Sequence, residues 1–441
     1  MHPIRRILRP LVGLCWVGLC LSAPAQQAAS LAQPLTLENA LQLADNPNHY
    51  RVQMMDEQIR LAMAEAGVSM SGNDLQVNLS GHLRKVGVSE VGDPNEDNDS
   101  QINLFVRKPI YDFGRSAGLD DLAQARVELA QLERAHLVEQ RELEIARKYF
   151  DVLNADNDFL RHNEDLAIGF IRWDRARENQ ELGLTSELEV LRLQTEYERI
   201  RQNRYQAENQ QRYTRVILAE SLGFPDSPPS DVALPQLPDP VRVSDDVDGM
   251  VQQAFQYSLL MQLRRKQLGL AMLRVRTAEN TVTPSLDAEL QFSDYAREGS
   301  TRDDWRASLY FDFPLYQGQR ESAAIGVAQA RHRQALAAMQ QARSEIRVKV
   351  LELWQAIRQN SLDLQGALVD QDYRDMYLDR SRAEYELEFK TDLGDAMVQF
   401  SNSRRLAYQA RFALELAWRE LQQLVGPEYL KTIKIEGDAN G

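Results

Sequence analysis

Reactive side chains are sparse along this 441-residue chain, and few stand at spacings that chemistry requires. His49, His82, His136, His162 and His332 are scattered and form no metal-spaced pair. No glycine-rich phosphate loop and no Gly-x-Ser-x-Gly elbow occurs. The run Asp93-Pro94-Asn95-Glu96-Asp97-Asn98-Asp99 has the acidity of a calcium loop. Asn98 and Leu104 stand where that loop needs its glycine and its bidentate glutamate, so the run reads as an acidic surface loop. Asp392 and Asp395, three apart, would share one helix face. In a ring of copies such acids focus a field that favours cations; at a helix start they simply complement the dipole. The sequence asks for no cofactor and no metal, and an enzyme is not expected.

Bulk properties narrow the class further. A formal charge of -14 argues against nucleic acid, whose phosphates need a basic surface. A mean hydropathy of -0.47 excludes a polytopic helical membrane protein. Residues 1–25 differ from the rest. Arg5, Arg6 and Arg9 precede an apolar run from Leu11 to Leu21, followed by Ala23-Pro24-Ala25, the pattern of a secretory signal peptide. Cys15 and Cys20 both lie in this segment, so cleavage after Ala25 leaves a chain without disulfides. Cleavage also removes the three arginines and moves the formal charge from -14 to -17.

The remainder carries one pattern twice. Pro109-Ile110-Tyr111 with Arg115 returns as Pro314-Leu315-Tyr316 with Arg320, and Ala123-Gln124-Ala125-Arg126 returns as Ala328-Gln329-Ala330-Arg331. Both matches keep one offset of 205 residues, which also carries Glu181-Leu182 onto Glu386-Leu387. The implied division is 26–224 and 246–426, with a proline-rich linker over 225–245 and a tail over 427–441. No proline occurs between Pro109 and Pro225 or between Pro314 and Pro427. Both windows are rich in strong helix formers. In the first, Leu122, Ala125, Leu129, Leu132, Leu143, Ala146, Phe150 and Leu153 keep a three-four spacing. With Gly183 as the first break, the helix from Arg115 would run roughly 100 Å at ~1.5 Å per residue. Its counterpart would run from Arg320 to about Glu388.

Each long helix follows a stretch of period two. Leu75, Val77 and Leu79 alternate with polar residues, as do Ile102, Leu104 and Val106. Leu286, Ala288, Leu290 and Phe292 do the same, followed by Trp305, Ala307, Leu309 and Phe311. These spacings predict two hairpins, over about 73–110 and 284–316, with strands long enough for a tilted membrane crossing. A half-buried soluble sheet would alternate the same way. Aromatics at the strand ends (Tyr111, Phe113, Tyr295, Trp305, Phe311, Phe313, Tyr316) favour the membrane. Four strands cannot close a barrel, and open edges are not tolerated in lipid, so membrane strands here require oligomerisation.

Taken together, the signal peptide, the doubled hairpin and long helix, the proline-rich link and the opening Leu35-Thr36-Leu37-Glu38-Asn39-Ala40-Leu41 with Asn46-Pro47 resemble the TolC-type outer-membrane factor family. The resemblance implies a mainly α fold with β: long coiled-coil-like helices in an α-helical barrel, and four membrane strands per subunit in a trimeric twelve-stranded β-barrel. It further implies a passive conduit for efflux or type I secretion in the outer membrane of a Gram-negative bacterium. The expected partners are two further copies, a periplasmic adaptor, an inner-membrane pump and outer-membrane lipid. The turns between long and return helices would be adaptor-docking tips: Gly183, Leu184, Thr185 and Ser186 in the first copy, Lys390 and Thr391 in the second. Glu187, Asp392 and Asp395 are the candidate entrance acids. In the second tip Glu388 stands where glycine is expected. Thr185, Ser186 and Thr391 also read as plain helix N-caps. The competing reading is a periplasmic coiled-coil adaptor or scaffold without a pore, which calls for a single helical hairpin between small β-domains.

Overall fold

The computed structural model describes residues 31, 33–87, 98–237, 241–280, 283–296, 303–387 and 393–435. The expected signal peptide, residues 91–97 of the acidic loop, and Glu388, Lys390, Thr391 and Asp392 lie outside the described residues.

In chain order the elements are α1 (Leu37–Gln42), α2 (Tyr50–Ser71), β1 (Gln76–His82), β2 (Gln101–Tyr111), α3 (Arg115–Glu181) and α4 (Glu187–Leu222). There follow β3 (Arg242–Val243), α5 (Val247–Tyr257), α6 (Leu259–Glu279), β4 (Ser285–Tyr295) and β5 (Trp305–Asp312). The chain ends with α7 (Arg320–Glu386), α8 (Leu393–Val425), α9 (Pro427–Ile433) and β6 (Lys434–Ile435). Both long helices span 67 residues, about 100 Å at ~1.5 Å per residue. Proline-free, helix-forming sequence lets them run, and glycine sets their starts. Gly114 (φ +89°) and Gly318 (φ +66°) adopt left-handed conformations that turn each chain from strand into helix.

The helices make one wall. Near the sheet α3 packs against α2 on one side and α6 on the other, and α6 packs on α7. Farther from the sheet, α4 and α8 flank α3, and α8 packs on α7. The order is therefore α2, α3, α6, α7 in one half and α4, α3, α8, α7 in the other. Polar clamps fix the register. Arg134 bonds Asp56 at 2.5 Å across α3 and α2, and Arg215 bonds Asp156 at 2.6 Å across α4 and α3. Arg405 reaches Asp158 at 3.4 Å, and Glu420 of α8 holds both Arg147 of α3 (3.2 Å) and Lys349 of α7 (2.8 Å). Where helices approach most closely the sequence supplies glycine. A Cβ on Gly169 would stand 2.9 Å from Ile200, and one on Gly394 would stand 2.8 Å from Ile168.

The apolar core sits at mid-height rather than in the sheet. One cluster joins α5, α6, α7, α8 and α9 around Met250, Met261, Ile346 and Leu421. A second joins α1, α3, the end of α4 and Phe412 of α8 around Leu35, Tyr149, Phe150 and Leu218, and a small third one packs Ala66 of α2 on Ala123 and Val127 of α3. The linker closes this belt, because both flanking segments of the chain pair with it. Leu35 donates to the Asp231 carbonyl (3.0 Å) and accepts from Ala233 (2.9 Å), while β3 pairs antiparallel with β6. The Tyr149 hydroxyl lies 2.9 Å from the Leu35 carbonyl and 2.5 Å from that of Ala233. Burial pushes that phenol up to about 12, so it remains a donor.

Candidate functional site: a two-faced sheet and a helix turn

The four long strands form one antiparallel sheet in the order β1-β2-β4-β5. Its register decides the chemistry of each face. Val77 pairs with Val106, Val106 with Leu290, and Leu290 with Ala307; Leu79, Leu104, Phe292 and Trp305 form the adjoining row. Because side chains alternate, these residues with Ala288, Leu309 and Phe311 share one face. The other face carries Gln76, Asn78, Ser80, Asn103, Arg107, Asp287, Glu289, Gln291, Ser293 and Tyr310. Bonds cross it: Arg107 to Glu289, Tyr310 to Glu289, and Gln291 to Asn103.

The apolar face is bare. Leu79 is 69% exposed, Trp305 64%, Leu309 66% and Phe311 66%. Aromatics bound it, with Trp305 at the hairpin-loop end and Tyr111 and Phe311 at the helix end. An eleven-residue strand such as β4 rises about 35 Å, or about 25 Å when tilted as barrel strands are, which matches a membrane-facing apolar band. Among the described residues no helix is long and apolar enough to cross a membrane. The sheet is also open: β1 and β5 are each paired on one side only.

At the opposite end of the wall, α3 turns into α4. Gly183 takes φ +72°, and Leu184 N–H bonds the Asn179 carbonyl at 2.8 Å while Gly183 N–H bonds Gln180 at 2.9 Å. Together these bonds satisfy the last carbonyls of α3, a Schellman-type stop. Ser186 then caps α4, its hydroxyl accepting from Glu189 N–H at 3.2 Å. Leu182, Leu184 and Leu188 all project into solvent from this turn.

No family model and no curated protein matches the sequence. Solved structures do match in fold. The outer membrane protein VceC of Vibrio cholerae is 15% identical over 88% of this chain and 96% of its own, with a TM-score of 0.68. The CmeC outer membrane channel of Campylobacter jejuni is 14% identical over 91% of this chain and 87% of its own, at 0.69. The open MtrE outer membrane channel of Neisseria gonorrhoeae is 13% identical over 88% of each chain, at 0.67. The chain has the fold of the outer-membrane channels.

Within that channel fold the expected tip residues separate. Gly183, Leu184, Thr185 and Ser186 form the α3–α4 turn, and exposed Glu187 opens α4. Asp395 lies in the first turn of α8, half-buried, where its carboxylate accepts from Gln399, whose amide oxygen in turn accepts from Arg374 of α7. It is thus tied into a bonded chain across α7 and α8. Sequence reasoning ran the first tip to Leu188 without counting that residue among the docking candidates, and left Leu182 before it, although both are exposed beside the glycine stop. It also missed the Arg107–Glu289 pair, because the two residues are 182 apart and only the sheet order joins them.

Proposed function

We propose that the chain is one subunit of an outer-membrane channel completed by copies of itself, and that it serves as a passive conduit in an efflux or type I secretion machine. The observation that carries this reading is the two-faced sheet: a bare apolar face, a bonded polar face and two unpaired edge strands. In water the apolar face costs free energy, and in lipid the unpaired edges do. Both are relieved when β5 of one copy pairs with β1 of the next, closing a barrel with lipid outside and water inside. Three copies supply twelve strands.

The helical wall supports the same closure. Its free edges are α2 and α4 on the β1 side and α7 on the β5 side, and both expose apolar side chains. Met54, Leu61 and Val68 recur every seven residues on α2; Leu362, Val369 and Met376 do so on α7. Head-to-tail contact between unlike edges makes a closed ring. The first tip, with Leu182, Leu184, Leu188 and Ser186, suits contact with a periplasmic adaptor, and an inner-membrane pump would supply the energy. Glu187, Asp392 and Asp395 remain the entrance acids of this proposal. The adaptor reading is disfavoured by the single four-stranded sheet, whose central strands β2 and β4 have membrane-crossing length.

Reconstitution of the mature protein in planar bilayers tests the proposal. Discrete conductance steps from a detergent-resistant trimer are expected. A protein that stays monomeric and water-soluble without detergent overturns it.

A further inference from the structure

The polar face of the sheet is uneven in charge. Arg107 of β2 and Glu289 of β4 form an ion pair across the central seam, with Nε and Nη2 at 2.9 and 2.5 Å from Oε2. The Tyr310 hydroxyl holds the other carboxylate oxygen at 3.2 Å. The two charges differ in access: the Glu289 side chain is 5% exposed, whereas that of Arg107 is 54% exposed. The anion is therefore sealed between strands, and the guanidinium is displayed above it. Gln76 and Ser308 flank the pair in register on β1 and β5, and both are neutral. One row farther from the helices Gln291 stands opposite Arg306 of β5, whose guanidinium is already paired with Asp303 at 3.1 Å, and Gln291 donates to Asn103 and Ser293 in the row beyond. Asp287, one row nearer the helices, is the next carboxylate on this face.

We propose that Arg107 sets the ion preference of the conduit where the barrel meets the helical tunnel, and that Glu289 is the positioning residue that holds it. This inference rests on the channel reading, which turns the polar face toward water. Three copies then place three Arg107 guanidinium groups around the lumen at this level, each still charged at any physiological pH. A guanidinium presents N–H donors in a fork that fits oxyanions. The solutes favoured at this level are thus those bearing carboxylate or phosphate groups, in contrast to the acidic balance of the whole chain.

Reversal potentials across a potassium chloride gradient test the assignment in three variants. Arg107→Gln removes the displayed cation and should raise the cation-to-anion permeability ratio about twofold or more. Glu289→Gln removes the sealed anion, leaves the guanidinium uncompensated and should move the ratio the opposite way. The double variant restores neutrality and should return close to the original ratio. A purely structural pair would shift both single variants alike, through loosened strands, or neither. If trimers conduct and the singles fail to move in opposite directions, the assignment is overturned and the channel reading stands. If the unmodified protein does not conduct at all, the channel reading fails and this inference with it.

Discussion

Two joints occupy the same place in the two halves of the wall and are built from opposite chemistry. In the first half, α2 begins where α4 ends. Gly223 (φ +84°) brings the end of α4 against Asn46 and His49, and Asn46 bonds the Leu222 carbonyl at 2.8 Å. Into this joint α3 inserts Arg141, which is 1% exposed. It donates to the carbonyls of Ala44 (2.7 Å) and Ser221 (3.0 Å) and lies 2.9–3.0 Å from both ring nitrogens of His49. In the second half, α6 begins where α8 ends, with Gly426 (φ +86°) closed onto Tyr257. Ile346 of α7 stands there at 2% exposure, 205 residues after Arg141, and Ser258 replaces His49 as the cap. A helix end buried by a second helix must satisfy its carbonyls. The first joint does so with a cation that also complements helix C-termini. The second does so with Gln253, which bonds the Val425 carbonyl at 3.2 Å, and with the Gly426 N–H, which bonds the Gln422 carbonyl at 2.8 Å, while Ser258 caps the start of α6.

Substitutions at the two joints should separate them. Arg141→Leu should have the largest effect, a loss of about 3–5 kcal/mol, because buried carbonyls lose their donor. Denaturant titration of the detergent-solubilised protein measures it; an unchanged midpoint would mean that an apolar joint serves equally well in both halves. Ile346→Ala should cost about 2–4 kcal/mol through a cavity rather than lost bonds. Its loss should be the same at pH 5 and pH 8, and a pH-dependent loss would break the contrast.

Acid should act on the first joint alone. Burial, then the charges of Arg141 and Arg51, lower His49 from its ordinary 6.5 to about 4, with Glu144 opposing and Lys148 adding to the effect. A histidine held below its unfolded value stabilises the fold fully above about pH 6.5, and that stability is lost as pH falls toward 4. The loss should total on the order of 3 kcal/mol at most and vanish in His49→Asn, which keeps a capping side chain. Parallel acid curves for the two proteins would place the sensitivity elsewhere. The smallest effects belong to the serine caps. Ser258→Ala and Ser186→Ala should each cost about 1 kcal/mol. Buried Ser258 should exceed exposed Ser186, and the reverse order would show that burial of the joint is not what gives its cap value.

Much of this was legible along the chain. Absence of proline between Pro109 and Pro225 set the reach of α3, and Gly183 set its end within two residues. The second helix stops at Glu386, close to the expected Glu388, although no glycine stands there. Alternation at Val77, Leu79, Leu290 and Phe292 separated the two faces of the sheet before any strand was paired. These are local properties: backbone propensity, and side-chain period within one segment.

Contacts between distant segments were not legible. That β2 lies beside β4 follows from no motif, yet it alone brings Arg107 to Glu289. The two-residue β3 and β6 are too short to carry a pattern, but they pin the linker to the wall. Arg141 looked like any arginine on a helix face, and only the meeting of α2 with α4 buried it. The sequence by itself determined long helices, two-faced strands and the acidic balance, because each depends on neighbours within a few turns. Tertiary structure decided which polar groups lose water together. Desolvation is a property of the assembled surroundings, and it is what turned Arg141, His49 and Glu289 from ordinary side chains into the distinctive ones.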